Sequence, residues 1–214
     1  GVGKSLFTSL VRRTFKGNMI TTATTGIASA NIKGVTIHSM FRLPLKGISK
    51  ATEFNKVAKS IFGDSNKLAI MKNMDLLVVD EISMGKAYNL DTIDHVLRNL
   101  RDKPFIPFGG VQVILIGDVM QLEPVVDRSG YEKDFLKENY QDNPYFFNAS
   151  AYRTGSFKYI EFKNIYRQKN KEFQQVLNNF RSYNYTKSDL DYINSRVISE
   201  ADFFEDGDYI YIAS

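Results

Sequence analysis

Two short stretches hold residues whose types and spacing suit phosphate chemistry. GVGKS opens the chain at Gly1 to Ser5, and LLVVDEISM runs from Leu76 to Met84. In the first, backbone amides and the Lys4 ammonium can cradle phosphates, while the Ser5 hydroxyl binds a metal such as Mg²⁺. Amides at the start of a helix add the favourable end of its dipole. In the second, four apolar residues run straight into Asp80 and Glu81, as when a buried parallel strand delivers acids to the rim of a sheet. There Asp80 would hold Mg²⁺ through water, and Glu81 would orient and deprotonate an attacking water. The bland readings are a chance glycine–lysine turn and a solvated strand end before a helix cap. Two matching motifs at this separation instead indicate hydrolysis of a nucleoside triphosphate.

A third element, VILIGDVMQLEPV from Val113 to Val125, again runs from strand to loop. Its Gln121 carries both a donor and an acceptor, so it can touch a γ-phosphate and report its loss without a charge change. Alone it would be a polar turn after a core strand. Arg167 suits the stabilisation of charge during phosphoryl transfer, with a structural salt bridge as its alternative. Thr25, Asn31, His38 and Ser39 are small donors in glycine-containing segments. They can reach a nucleic-acid backbone without demanding a base, although a core-edge histidine is the blander reading of His38. Phe41 is a candidate stacking platform. Lys46, Lys50, Lys56 and Lys59 are candidates for a backbone path or for a solvated face.

These residues need a scaffold. At 214 residues, 43% hydrophobic and 24% charged, the chain can form one large α/β domain or two small ones. It has no cysteine, which excludes disulfides and thiolate metal sites. The net charge of +4 permits a nucleic-acid partner. With no membrane-length apolar run and no signal pattern, no membrane association is expected. The protein is expected inside the cell: cytoplasmic in a bacterium or phage, nuclear or mitochondrial in a eukaryote.

The patterns predict a helix from the phosphate loop to Lys16-Gly17, a strand over 20–24, a short helix to Ala30 and an extended piece over 35–38. Residues 45–72 read as a weakly periodic insertion. A strand at 76–80 follows, then an amphipathic helix through Leu90, Ile93, Val96, Leu97 and Leu100, with Asp94 and Arg98 at ion-pair spacing. Buried strands are expected at 111–116 and 157–162, and helices around 173–180 and 190–193. Strands alternating with helices argue for α/β architecture, a mostly parallel sheet with helices on both faces. The full phosphate-loop pattern would begin three positions before Gly1, so the chain is expected to be a fragment.

Thr24 to Ser39, TTGIASANIKGVTIHS, resembles the single-strand-binding motifs of superfamily 1B DNA helicases. DEISM and GDVMQLEPV resemble their second and third motifs, and Ile165-Tyr166-Arg167-Gln168 their fourth. Arg98, Arg101, Pro107-Phe108-Gly109-Gly110 and Gln112 resemble the signature of the petite-integration-frequency (PIF) helicases. The resemblance implies a RecA-like P-loop NTPase domain that uses ATP and Mg²⁺ to move 5′ to 3′ on single-stranded DNA and to unwind duplex or fork junctions. It implies nucleotide binding by Gly1, Val2, Gly3, Lys4, Ser5 and Leu6, and metal binding by Ser5 and Asp80. Catalysis would fall to Lys4, Glu81, Gln121 and Arg167, and DNA contact to Thr25, Gly26, Asn31, His38 and Ser39. Residues 1–207 would form the first RecA-like domain, with a small insertion near 43–66. Residues 208–214 would open a second RecA-like domain of the same polypeptide, and the protein is expected to be a monomer.

Rival readings are a non-translocating ATPase switch, a DNA-binding module without hydrolysis, and a GTPase. The last rests on Thr186-Lys-Ser-Asp189, which mimics a guanine-recognition motif but precedes a helical pattern, and so fits a capping box better.

Overall fold

The computed structural model describes residues 2–127, 130–164, 166 and 168–197. Residues 3–162 form one compact unit, and the described residues from 163 onward belong to another, together with Val2. In the larger unit the elements run α1 (Lys4–Thr14), β1 (Met19–Ala23), α2 (Gly26–Asn31), β2 (Val35–Thr36), α3 (Ile37–Phe41), α4 (Thr52–Phe62) and α5 (Ser65–Asn73). They continue with β3 (Leu76–Asp80), α6 (Ala87–Leu100), β4 (Gln112–Leu115), α7 (Tyr131–Tyr140) and α8 (Ser150–Thr154). The smaller unit holds α9 (Lys171–Arg181) and α10 (Lys187–Asn194). No helix of the described residues is long and apolar enough to cross a membrane.

The four strands are all parallel, in the order β2-β1-β3-β4. All five residues of β3 are buried, as expected of a strand covered on both faces. Its side chains alternate. Leu77 and Val79 join the main core with Val57 and Ile61 of α4 and Ile93, Val96 and Leu97 of α6. Leu76 and Val78 join Ile116 and the α1 side chains Phe7 and Val11 on the other face. Each buried aliphatic contributes about 1.5–3 kcal/mol. The expected α/β fold therefore holds, with helices on both faces.

Four expectations are corrected. Residues 52–62 and 65–73 form two helices rather than an irregular insertion, and Phe54, Val57, Ala58 and Ile61 supply the apolar stripe of α4. Only Val35 and Thr36 are extended; Thr36 then caps α3, placing His38 on a helix. In β4, Gln112 is exposed and the next three residues only half-buried, so it is less enclosed than a central strand. Residues 157–162 form no strand. Phe157 stacks on Tyr152 at 5.0 Å, Phe162 meets Phe7 edge-on at 5.6 Å, and Tyr159 and Ile160 between them are exposed. The apolar run serves as two aromatic anchors.

The PIF-like signature residues make a corner. Arg101 donates to the carbonyls of Met71, Lys72, Met74 and Gly109, at 2.7–2.9 Å. Asp94 accepts from Arg98 Nε at 2.7 Å and from the Phe108 amide. Gly109, at φ +60°, lies so close to the Leu97 carbonyl that a Cβ would sit 2.5 Å away. In the smaller unit, Thr186 and Asp189 form the expected capping box. Phe173 stacks on Tyr192 and Phe180 on Tyr185.

Candidate functional site

Parallel register brings the carboxyl ends of β1 and β3 together, with Ala23 opposite Asp80. The Thr24 amide donates to the Asp80 carbonyl at 3.2 Å, and the Ile82 amide to the Ile116 carbonyl at 2.9 Å. This rim is where open α/β sheets bind ligands. Glu81 takes a left-handed conformation, φ 50° and ψ 41°, which costs a non-glycine residue roughly 1–2 kcal/mol. Two bonds offset that cost: the Thr24 hydroxyl donates to the Glu81 carbonyl at 2.7 Å, and the Glu81 amide donates to Asp80 Oδ1 at 2.9 Å.

Gly3 caps α1 at φ 97°, a conformation open mainly to glycine, and so starts the helix at Lys4. The Lys4 Nζ lies 3.6 Å from Glu81 Oε2, is buried, and has no hydrogen-bond partner among the described residues. A buried ammonium with its donors unused is costly unless acceptors arrive. Phosphate oxygens would supply them.

Ser5 is exposed at the same helix start, and the Asp80 carboxylate is buried. A hydroxyl and a carboxylate fit Mg²⁺, which takes few protein oxygens and completes its shell with phosphate and water. No cluster of three or more metal-binding side chains occurs among the described residues. Leu6 is exposed and Val2 half-buried. Gln121 lies in the exposed loop after β4, its carboxamide donating to Asp118 Oδ2 at 3.2 Å. Gly1, Arg167 and residues 208–214 lie outside the described residues.

The expected DNA residues divide. Thr25, Gly26 and His38 line one recess of about 470 Å³, whereas the exposed Asn31 and Ser39 do not. Thr25 is also the N-cap of α2, its hydroxyl oxygen accepting from the Ala28 amide at 3.2 Å. His38 is half-buried, and burial followed by the nearby Lys86 charge holds its pKa below the ordinary value. Phe41 is fully buried, so it cannot be a stacking platform. Lys46, Lys50, Lys56 and Lys59 are exposed.

Sequence reasoning missed four residues here. Thr24 holds the Glu81 turn. Glu132, only 5% exposed, accepts from Lys86 Nζ, from the Tyr88 hydroxyl at 2.8 Å and from the Asp127 amide at 3.0 Å. Lys86 and Asn89 line the recess. Only Thr24, the first residue of the TTGIASANIKGVTIHS stretch, carried a local signal; the others depend on contacts across the chain.

Fold and rim together define an α/β domain of the P-loop class, with a recess of mixed polar and apolar lining beside the rim. The PIF1-like helicase family model matches residues 1–188, and the chain belongs to that family. It is 34% identical to the ATP-dependent DNA helicase PIF1 of Saccharomyces cerevisiae over 187 residues, covering 85% of this chain and 20% of the yeast protein. It is 31% identical to Pif1 of Psychrobacter over 77% of this chain and 24% of that protein. The Bacteroides Pif1 structure in complex with ADP-AlF3 and single-stranded DNA superposes with a TM-score of 0.78 at 37% identity, covering 94% of this chain and 45% of that one. Pif1 of Candida albicans gives 0.74 at 30% identity, over 93% and 43%. The chain thus spans about a fifth of these curated relatives' length and about half of the solved chains. The RecA-like helicase fold implied by the sequence resemblance is borne out.

Proposed function

We propose that the chain is the ATP-binding first motor domain of a DNA helicase that moves 5′ to 3′ along single-stranded DNA and unwinds duplex ahead of it. The observation that carries this reading is the buried Lys4 ammonium, which lies 3.6 Å from Glu81 and makes no hydrogen bond among the described residues. A triphosphate offers the acceptors that the protein withholds. Support comes from relatives named ATP-dependent DNA helicases and from a Bacteroides Pif1 that binds a nucleotide analogue and single-stranded DNA together.

On this reading Lys4 leaves Glu81 for the β- and γ-phosphates, with the amides of Gly1 to Leu6 around them. The Glu81 carboxylate then takes the proton of the attacking water. Ser5, and Asp80 through water, would hold Mg²⁺, which neutralises charge on the phosphates. Gln121 contacts the γ-phosphate and relays its loss, and Arg167 stabilises the developing charge. Thr25, Gly26, Asn31, His38 and Ser39 contact phosphate and sugar, which positions a strand without reading it.

On this reading the chain belongs to the first RecA-like domain, and a second such domain of the same polypeptide would face it across the nucleotide. The working form is a monomer acting at single strands and forks. The test is the ATPase rate of the full-length protein with and without a single-stranded oligonucleotide, alongside unwinding of duplexes with a 5′ or a 3′ tail. Stimulated turnover and a need for the 5′ tail are expected. Turnover indifferent to DNA would instead identify a nucleotide switch.

A further inference from the structure

The recess beside the phosphate site holds a side chain that the ATPase reading does not use. Asn89 sits in the first turn of α6, is 5% exposed and lines the recess. Its Oδ1 is buried without a hydrogen-bond partner among the described residues. The neighbouring α6 positions Leu90 and Ile93 are core hydrophobics. An unsatisfied carboxamide among them costs stability that a leucine would not. Such a group is retained where something else completes it.

The walls indicate what that is. Met84, Leu45 and Val125 present apolar surface, and Leu45 and Val125 are largely exposed at the mouth. Of the two cationic candidates, Lys86 is already neutralised by Glu132, and His38 is held below its ordinary pKa. A phosphate would find little free positive charge here and would meet a buried acceptor. A nucleobase matches better, with flat apolar faces for the lips and a polar edge for the carboxamide. The Watson–Crick edge of every base sets a donor next to an acceptor, so one carboxamide can pair with any of them after a modest reorientation.

We propose that this recess receives one unstacked base of the bound strand, gripped between Leu45 and Val125 and hydrogen-bonded at its edge by Asn89. The proposal rests on the single-strand reading above and adds a discrete base subsite to it. Thr25 and His38 then hold the backbone at the mouth.

The test uses the full-length protein and short dT oligonucleotides near the minimal binding length, with one abasic position stepped along the strand. An abasic nucleotide keeps its phosphate, so only base contacts are lost. The expected result is one position at which removal of the base weakens binding about tenfold, the scale of a single stacked base. A 2-aminopurine at that position should brighten on binding, as an unstacked base does. In Asn89→Leu and Asn89→Asp, each verified by circular dichroism, the abasic penalty at that position should shrink to about threefold or less.

A flat abasic scan with normal dT binding would overturn the subsite, because it would mean that water satisfies Asn89. An unchanged penalty in both variants would also overturn it. Should either variant fail to fold, the wild-type abasic and 2-aminopurine scans decide the question alone. Failure of the wild-type protein to bind any oligonucleotide would instead refute the single-strand reading itself.

Discussion

Lys4 and Glu81 face one another across the rim with Nζ and Oε2 3.6 Å apart, near enough to attract and too far for a hydrogen bond. The two groups assigned to opposite tasks, holding the triphosphate and activating water, thus sit as a loose pair that a phosphate can separate. Glu81→Gln removes the base but keeps the shape. Turnover is expected to fall by about 10²–10⁴ while ATP binding persists, measured by a fluorescent-nucleotide titration beside a phosphate-release assay. Lys4→Ala should weaken the titration itself. Wild-type hydrolysis by Glu81→Gln would remove Glu81 from the mechanism.

Gln121 is held by Asp118 in the loop after β4. Gln121→Ala is expected to lower unwinding more than hydrolysis, with nucleotide and oligonucleotide binding retained. Parallel loss of both rates would make it a residue of the chemical step rather than a relay.

Thr25→Ala with His38→Ala should weaken single-strand affinity for all base sequences alike and lower the DNA-stimulated part of the ATPase. Because Thr25 also caps α2, its removal costs about 1 kcal/mol of local stability. Thr25→Asn, which can still cap, separates the two effects. Both side chains are neutral at pH 7, so the salt slope of binding should barely change. Normal oligonucleotide binding by the double mutant would place the strand elsewhere.

His38 makes a prediction in pH. Its folded pKa lies below the ordinary 6.5, so the unfolded chain takes up its proton first as pH falls. The stability it contributes is fully present above about 6.5 and is lost as pH drops from there toward the folded value. Thermal midpoints should therefore fall from pH 7.5 to 5.5, and His38→Gln should flatten part of that fall. His95, also lowered chiefly by burial, adds to the same trend. Identical slopes for wild type and His38→Gln would exclude the contribution.

Arg101 gathers four carbonyls, so Arg101→Ala is expected to destabilise the domain by about 2–4 kcal/mol. Arg101→Lys should recover little, since an ammonium cannot span the same fork of acceptors. Urea denaturation would measure both, and a midpoint unchanged in Arg101→Ala would rule out the clamp.

Local signals made much of this legible. The apolar run of β3 ending in two acids, the 3.6-residue stripe of α6 and the capping box at Thr186 each depend on nearby residues alone, and each stands in the structure. The errors lay where distant partners decide. Residues 52–73 are so rich in Lys, Asn and Ser that the stripe from Phe54 to Ile61 was diluted, yet Asp64 caps α5 and Val57 and Ile61 enter the same core as α6. The run at 157–162 looks like a core strand, yet its end aromatics find Tyr152 and Phe7 instead of a ladder. The Glu132 cluster and the unsatisfied Asn89 leave no local trace, because a buried charge or amide is defined by what surrounds it.

The alternation of β3 fixes something other than residue identity: it fixes length. Leu77 and Val79 fill one core and Leu76 and Val78 the other, and the same strand must deliver Asp80 opposite Ala23. Inserting or deleting one residue between Asp75 and Asp80 would exchange the two faces and move the acids off the rim together. Related chains can therefore be expected to vary freely in side chain at these positions, within apolar limits, while tolerating no single-residue gap. Length changes should fall instead in connections such as 42–51, where no strand keeps count.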